Sequence, residues 1–127
     1  MTSLTLEQLL QLHVLVVEQT GGSQGVRDLG RLESVIASQR QQVFGDDLYE
    51  GAWMKAAALC RGIIADHPFV DGNKRTGILA GLVFLGVNDM KVTFEQGELE
   101  DFAVRVATDQ LDVDTIATWL RNHAEEK

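Results

Sequence analysis

A single proline, Pro68, interrupts 127 residues, and it falls between two apolar stretches. Proline donates no backbone hydrogen bond and pushes the residue before it out of the helical region, so a helix arriving from Tyr49 has to stop near Asp66 or His67. Beyond the turn, Gly77 to Leu85 is apolar on nearly every face, which marks a central helix surrounded by others. That helix fills the core and also aims the residues at its start, Asn73 to Thr76. The rest of the chain has to be arranged around the stretch from Asp66 to Thr76.

The turn is chemically dense. His67 is the side chain there suited to take a proton near neutral pH. Asn73 is a good N-cap, which would leave the amides of Lys74, Arg75 and Thr76 unpaired at the positive end of a helix dipole. Such an end attracts anions, and Lys74 and Arg75 add two cationic donors beside it. Asp71 supplies a carboxylate able to hold a divalent metal against phosphate oxygens. The same residues also compose ordinary connection chemistry, with an Asp-Gly-Asn cap and with Phe69 and Val70 as core plugs. Residue types alone leave both readings open.

Elsewhere the periodicity is helical. Ser3 to Thr20 carries a capping box (Thr5, Gln8), an inner face of Leu6, Leu9, Leu10, His13 and Val17, and a Gly21-Gly22 stop. His13 on that face reads as a packing histidine. Asp28 caps a second helix expected to reach about Phe44, with Leu29, Leu32, Ile36 and Val43 inward, Gln39 to Gln42 in water, and Gly45-Asp46-Asp47 as its breaker. A third, from about Leu48 to Asp66, buries Ala52, Ala56, Leu59, Cys60 and Ile63, with Tyr49 and Trp53 as packing anchors and Cys60 an inert thiol. After Asn88-Asp89, Val92-Thr93-Phe94 reads as a short extended piece, followed by helices over about Glu98 to Gln110 and Asp114 to Ala124. The expected fold is an all-α bundle of about six helices forming one domain over residues 1–127.

Composition narrows the function. The net charge is −8, and from Val92 onward three basic residues face nine acidic ones. Direct nucleic-acid binding is disfavoured, because that affinity comes from basic groups displacing counterions. The longest apolar run, Ile78 to Val87, contains two glycines and is far short of the roughly twenty residues of a membrane span. One cysteine and no basic-then-apolar leader point to the cytoplasm.

HPFVDGNKRT (His67 to Thr76) resembles the signature of the Fic superfamily, His-x-Phe-x-Asp/Glu-Gly-Asn-Gly-Arg, and is closer to its death-on-curing (Doc) branch, where Lys takes the place of the third glycine. GVRDLGRLES (Gly25 to Ser34) is similar to the stretch these proteins carry near their start. The resemblance implies a compact Fic/Doc-like bundle whose flap, Gly21 to Val26 here, holds a target's backbone near the catalytic histidine. It implies His67 as the base, Asp71 as the Mg²⁺ ligand, Gly72 letting the backbone close on phosphates, Asn73 and the next amides stabilising charge, Lys74 and Arg75 clamping phosphates, and Phe69 pinning the loop.

Fic proteins usually transfer the AMP of ATP to a protein hydroxyl. Lys74, and Ile78 at the position of a second arginine, depart from the AMP-transferring pattern and match the Doc branch, which passes on the terminal phosphate. The resemblance therefore implies a toxin that phosphorylates a Ser or Thr of a target protein, an elongation factor in that branch. It also implies an antitoxin whose disordered tail folds along the bundle. Ser3-x-x-x-Glu7-Gln8 misses the family's own inhibitory motif. AMP transfer, and a non-catalytic Fic-like binding module acting with an antitoxin, remain the alternatives.

Overall fold

A computed structural model gives the structure of the protein and describes residues 1–125. Among them are six α-helices: α1 (Leu6–Thr20), α2 (Leu29–Ala37), α3 (Gly51–Asp66), α4 (Asn73–Val87), α5 (Glu98–Thr108) and α6 (Val113–Asn122). A two-stranded antiparallel ribbon, β1 (Gln42–Val43) with β2 (Asp46–Asp47), is the only sheet among the described residues. The all-α expectation holds, and among the described residues no helix is long and apolar enough to cross a membrane.

The proline turn does what its chemistry requires. Helices α3 and α4 run from either side of it and pack closely along each other: a Cβ placed on Gly77 would lie 2.7 Å from Ile64 Cγ1 and 2.9 Å from the Cys60 carbonyl. Leu59, Ile63, Ile64, Phe84 and Leu85 are fully buried along this seam, each stabilising the fold by about 1.5–3 kcal/mol relative to exposure. Cys60 lies in the seam, where burial pushes its thiol up to about 12, so it stays an uncharged packing group. Helix α1 packs on α4, α2 on α3, and α5 and α6 close the remaining faces.

The start of α1 follows the capping box: Gln8 N–H donates to Thr5 Oγ1 (3.2 Å) and Thr5 N–H to Gln8 Oε1 (2.9 Å). Val92 bridges to Ala124, so the extended piece pairs with the chain leaving α6.

The second helix departs from expectation. It ends at Ala37, a 3₁₀ turn spans Ser38–Arg40, and the chain then forms the β1–β2 ribbon instead of helix to Phe44. Gln39, expected in water, is 2% exposed. Its carboxamide accepts from Leu4 N–H (2.7 Å) and donates to the carbonyls of Leu4 (3.0 Å) and Ile36 (2.8 Å), so it satisfies the backbone of buried Leu4 and a carbonyl at the end of α2. Buried Lys55 fixes the ribbon's base, donating to Gln39 O (2.7 Å) and pairing with Asp47 (3.2 Å). Val43 and Leu29, expected inside, are exposed. Tyr49 precedes α3, which starts at Gly51, and is half-buried, whereas Trp53 packs against the core.

Candidate active site

Helix α3 ends as Pro68 dictates. His67 takes the left-handed conformation (φ 48°, ψ 57°), and its N–H closes the helix onto Ile63 O at 3.2 Å. The imidazole is exposed and has no hydrogen-bond partner among the described residues. Phe69, by contrast, is fully buried and stacks on the His13 ring, 3.9 Å between centroids and 6° from parallel. The two neighbours of Pro68 thus point opposite ways, one anchoring the loop and one exposing its imidazole to solvent.

The segment after α1 lies against this loop. Val26 forms an antiparallel bridge with Phe69, Val70 N–H donates to Gly25 O (3.0 Å), and the amides of Arg27 and Asp28 donate to Pro68 O (2.7 and 3.0 Å). Gly25 and Val26, at the end of the expected flap, are therefore hydrogen-bonded beside His67. Earlier in the same segment, Ser23 N–H donates to Asp71 Oδ2 (2.8 Å).

His13 is a satisfied packing histidine, and it also supports the site. Its Nε2 lies 2.7 Å from Asp71 O, and because a carbonyl only accepts, Nε2 carries the proton. Sequence reasoning placed His13 in the core and missed that its polar end holds the motif loop. It also assigned no role to Arg27, whose guanidinium donates to the carbonyls of His67 and Asp66. The signal was weak, since Arg27 stands in the Gly25 to Ser34 stretch, some forty residues before its partners.

Two expectations about the start of α4 are corrected. The N-cap is Gly72 in the left-handed region (φ 76°, ψ 17°), not Asn73. Asn73 is the first helical residue, and its buried carboxamide folds back on Phe69, accepting from its N–H (3.0 Å) and donating to its O (2.9 Å). The tight loop leaves that peptide no backbone partner, so a side chain supplies both bonds. Consequently the helix-start amides without intrahelical partners are those of Asn73, Lys74 and Arg75, while Thr76 N–H already bonds Gly72 O (2.9 Å). A Cβ on Gly72 would make only ordinary contacts with Val17 (3.4 Å) and Val16 (3.5 Å) of α1, so it is the positive φ that calls for glycine there.

Gly72, Asn73, Lys74 and Arg75 line one cleft of about 310 Å³, walled by Ile78 and Leu79 of α4 and by Leu99 and Ala103 of α5. His67 and Asp71 are not in its lining; they stand on the loop that leads into it. Arg75 pairs loosely with Glu100 at 3.8 Å, with both side chains about half exposed. Such a pair contributes about 0–1 kcal/mol, so an incoming anion can take the guanidinium. Asp71 is exposed, and Ser23 engages only Oδ2, leaving Oδ1 open to a cation. One carboxylate beside an anion site suits Mg²⁺, which binds few protein ligands and takes the rest from phosphate and water.

A family model described as the Fic/DOC family matches residues 3–85. The chain is similar to "Toxin Doc" of Mycolicibacterium smegmatis, 40% identical over 106 residues covering 82% of each chain. It is also similar to "Protein kinase doc" of Escherichia phage P1, 36% identical over 118 residues, 91% of this chain and 90% of the relative. The matched span contains the flap, the histidine corner and the start of α4, and with two relatives aligned over most of their length it shows that the chain belongs to the Fic/DOC family.

Proposed function

We propose that the chain is a toxin that moves the terminal phosphate of ATP to a Ser or Thr hydroxyl of another protein, with a translation elongation factor as the expected acceptor. The observation that carries this reading is the corner at His67: an exposed imidazole between a hydrogen-bonded flap and a helix start that presents three amides and two cations. A segment laid along the flap would have its hydroxyl between a base and an anion site.

In the proposed step the acceptor O–H gives its proton to the His67 imidazole as its oxygen bonds to the terminal phosphorus. The bond from that phosphorus to the bridging oxygen breaks, and ADP leaves. The amides of Asn73 to Arg75 and the side chains of Lys74 and Arg75 balance the phosphate charge. Mg²⁺ held at Asp71 would add Lewis-acid neutralisation of the same oxygens. Asn73 contributes by holding Phe69, and Gly72 by turning the chain.

Terminal-phosphate transfer is preferred to AMP transfer because Ile78, 4% exposed and in the cleft wall, gives an apolar surface where a second arginine would be needed. The name of the phage relative, a protein kinase, points the same way. A small antitoxin with a tail that folds on binding is the matching regulator, and the cytoplasm the matching location. The test is transfer from ATP to purified elongation factor, run in parallel with label on the terminal and on the innermost phosphate. Label from the terminal phosphate alone, lost in His67→Ala, supports the proposal. Label from the innermost phosphate replaces it with AMP transfer. No label from either, with nucleotide and antitoxin still bound, favours a non-catalytic module.

A further inference from the structure

The conformation of His67 needs an explanation that α3 does not supply. A left-handed residue can close a helix in two ways: with its own N–H alone on the carbonyl four residues back, or in a two-bond form that also uses the N–H of the residue after it. Here the first exists, His67 N–H on Ile63 O at 3.2 Å. The second cannot, because the next residue is Pro68 and has no N–H. A side chain with a Cβ in the left-handed region also costs about 1–2 kcal/mol, so the corner that presents the imidazole is strained and closed by a single backbone bond.

Arg27 stands at that corner. Its Nε donates to His67 O (2.7 Å) and its Nη2 to Asp66 O (2.8 Å), so one planar fork spans the last helical carbonyl and the left-handed residue itself. Its own amide donates to Pro68 O (2.7 Å), which fixes the fork's root to the next peptide. Arg31 Nη1 approaches Asp66 O only at 3.4 Å and does not reach His67. The guanidinium charge also lies at the negative end of α3, where a cation is favoured.

We propose that Arg27 is a positioning residue for His67: its guanidinium bridges the carbonyls of Asp66 and His67 and holds His67 in the left-handed conformation from which the imidazole is presented. For its effect on catalysis the inference rests on the reading of His67 as the base. Arg27 itself touches neither the transferred phosphate nor the acceptor.

The experiment uses the full chain labelled with ¹³C and ¹⁵N, in wild type, Arg27→Ala and Arg27→Lys. In Arg27→Ala the His67 Cα shift and HN–Hα coupling are expected to lose their positive-φ signature. Its kcat for label transfer is expected to fall about a hundred-fold with the KM for ATP unchanged, the scale of an ångström-size misplacement. Arg27→Lys, with a point charge in place of a fork, falls between. Unchanged His67 resonances in a folded Arg27→Ala protein overturn the proposal, as does a raised KM with unchanged kcat. If Arg27→Ala does not fold, the same two readouts on Arg27→Lys decide. If the wild type transfers no label, the proposed function fails, and the His67 resonances still judge the clamp.

Discussion

Phe44 stands at the tip of the β1–β2 ribbon, wholly exposed (102%) and at a φ of 52°, followed by Gly45 at 85°. Two consecutive positive φ values make the two-residue turn that suits a right-twisted hairpin, and Asn-Gly is its preferred sequence. Phe44→Asn removes left-handed strain and an exposed ring together and is expected to stabilise the protein by about 1 kcal/mol, read as a raised urea midpoint at unchanged slope. A lowered midpoint would mean that the ring is held by something on the protein. Asn73 is the opposite case. Asn73→Ala leaves the buried N–H and C=O of Phe69 without their side-chain partners, a cost of about 2 kcal/mol. If nucleotide binding falls while the thermal midpoint does not move, Asn73 belongs to the anion site rather than to the loop. Both residues show a limit of reading the chain. An Asp-Gly-Asn run signals a cap, but which of its residues takes the cap depends on the return distance to Phe69. Pattern reasoning extended α2 through Gln39 because nothing local reveals that Leu4, thirty-five residues earlier, needs that carboxamide.

At the scale of elements, the α3–α4 pair is set by small residues on a close seam, and glycines within one helix separate packing from propensity. Gly77→Ala gains about 1 kcal/mol of helix propensity, but its Cβ would stand 2.9 Å from the Cys60 carbonyl and 2.7 Å from Ile64. Backbone cannot step aside as a side-chain tip can. The net expectation is a loss of about 1–3 kcal/mol, with the start of α4 displaced and the proposed nucleotide binding weakened. Gly86, in the same helix with nothing within 4 Å of where a Cβ would stand, should gain about 0.5–1 kcal/mol as Ala. Denaturant midpoints of the two variants should therefore move in opposite directions; a stabilised Gly77→Ala would show that the helices have slack. Much of this architecture is legible in the sequence because helix spacing is local: the glycines four apart, the apolar run, the Thr5–Gln8 box and Pro68 each announce themselves within a few residues. The site is legible only in part. His67, Asp71 and the residues from Gly72 to Arg75 lie in one short stretch, but their supports, His13, Ser23 and Arg27, come from other elements, and only the fold brings them to the loop.

At the scale of the whole molecule, the C-terminal third is acidic, and its closure depends on one charged pair inside an aromatic stack. His123, just after α6, donates from Nδ1 to Trp119 O (2.8 Å) and meets Glu98 at the start of α5 through Nε2. Trp119 stacks on Phe102 with centroids 3.8 Å apart, and Phe94 covers the other side, so the pair ties α5, α6 and the Val92 to Phe94 segment together. The bond to Trp119 O, aided by Glu98, raises the His123 pKa above its ordinary 6.5 despite partial burial. The Glu95 amide and His123 lower that of Glu98 below its ordinary 4.5. A raised histidine pKa gives stability that is complete below the unfolded value and is lost as pH rises through the folded one; a lowered carboxylate pKa gives stability complete above the unfolded value and lost as pH falls through the folded one. Both contributions are therefore fully present only between about 4.5 and 6.5. His123→Gln keeps much of the packing and removes the charge, so the gap in thermal midpoint between it and wild type should be widest near pH 5.5 and shrink above the raised His123 pKa. Self-repulsion among the remaining acidic groups is common to both proteins and cancels in the gap. A gap constant from pH 5.5 to pH 9 would mean that His123 acts through packing with Trp119 alone, and that the acidic third is closed by its aromatic stack without help from charge.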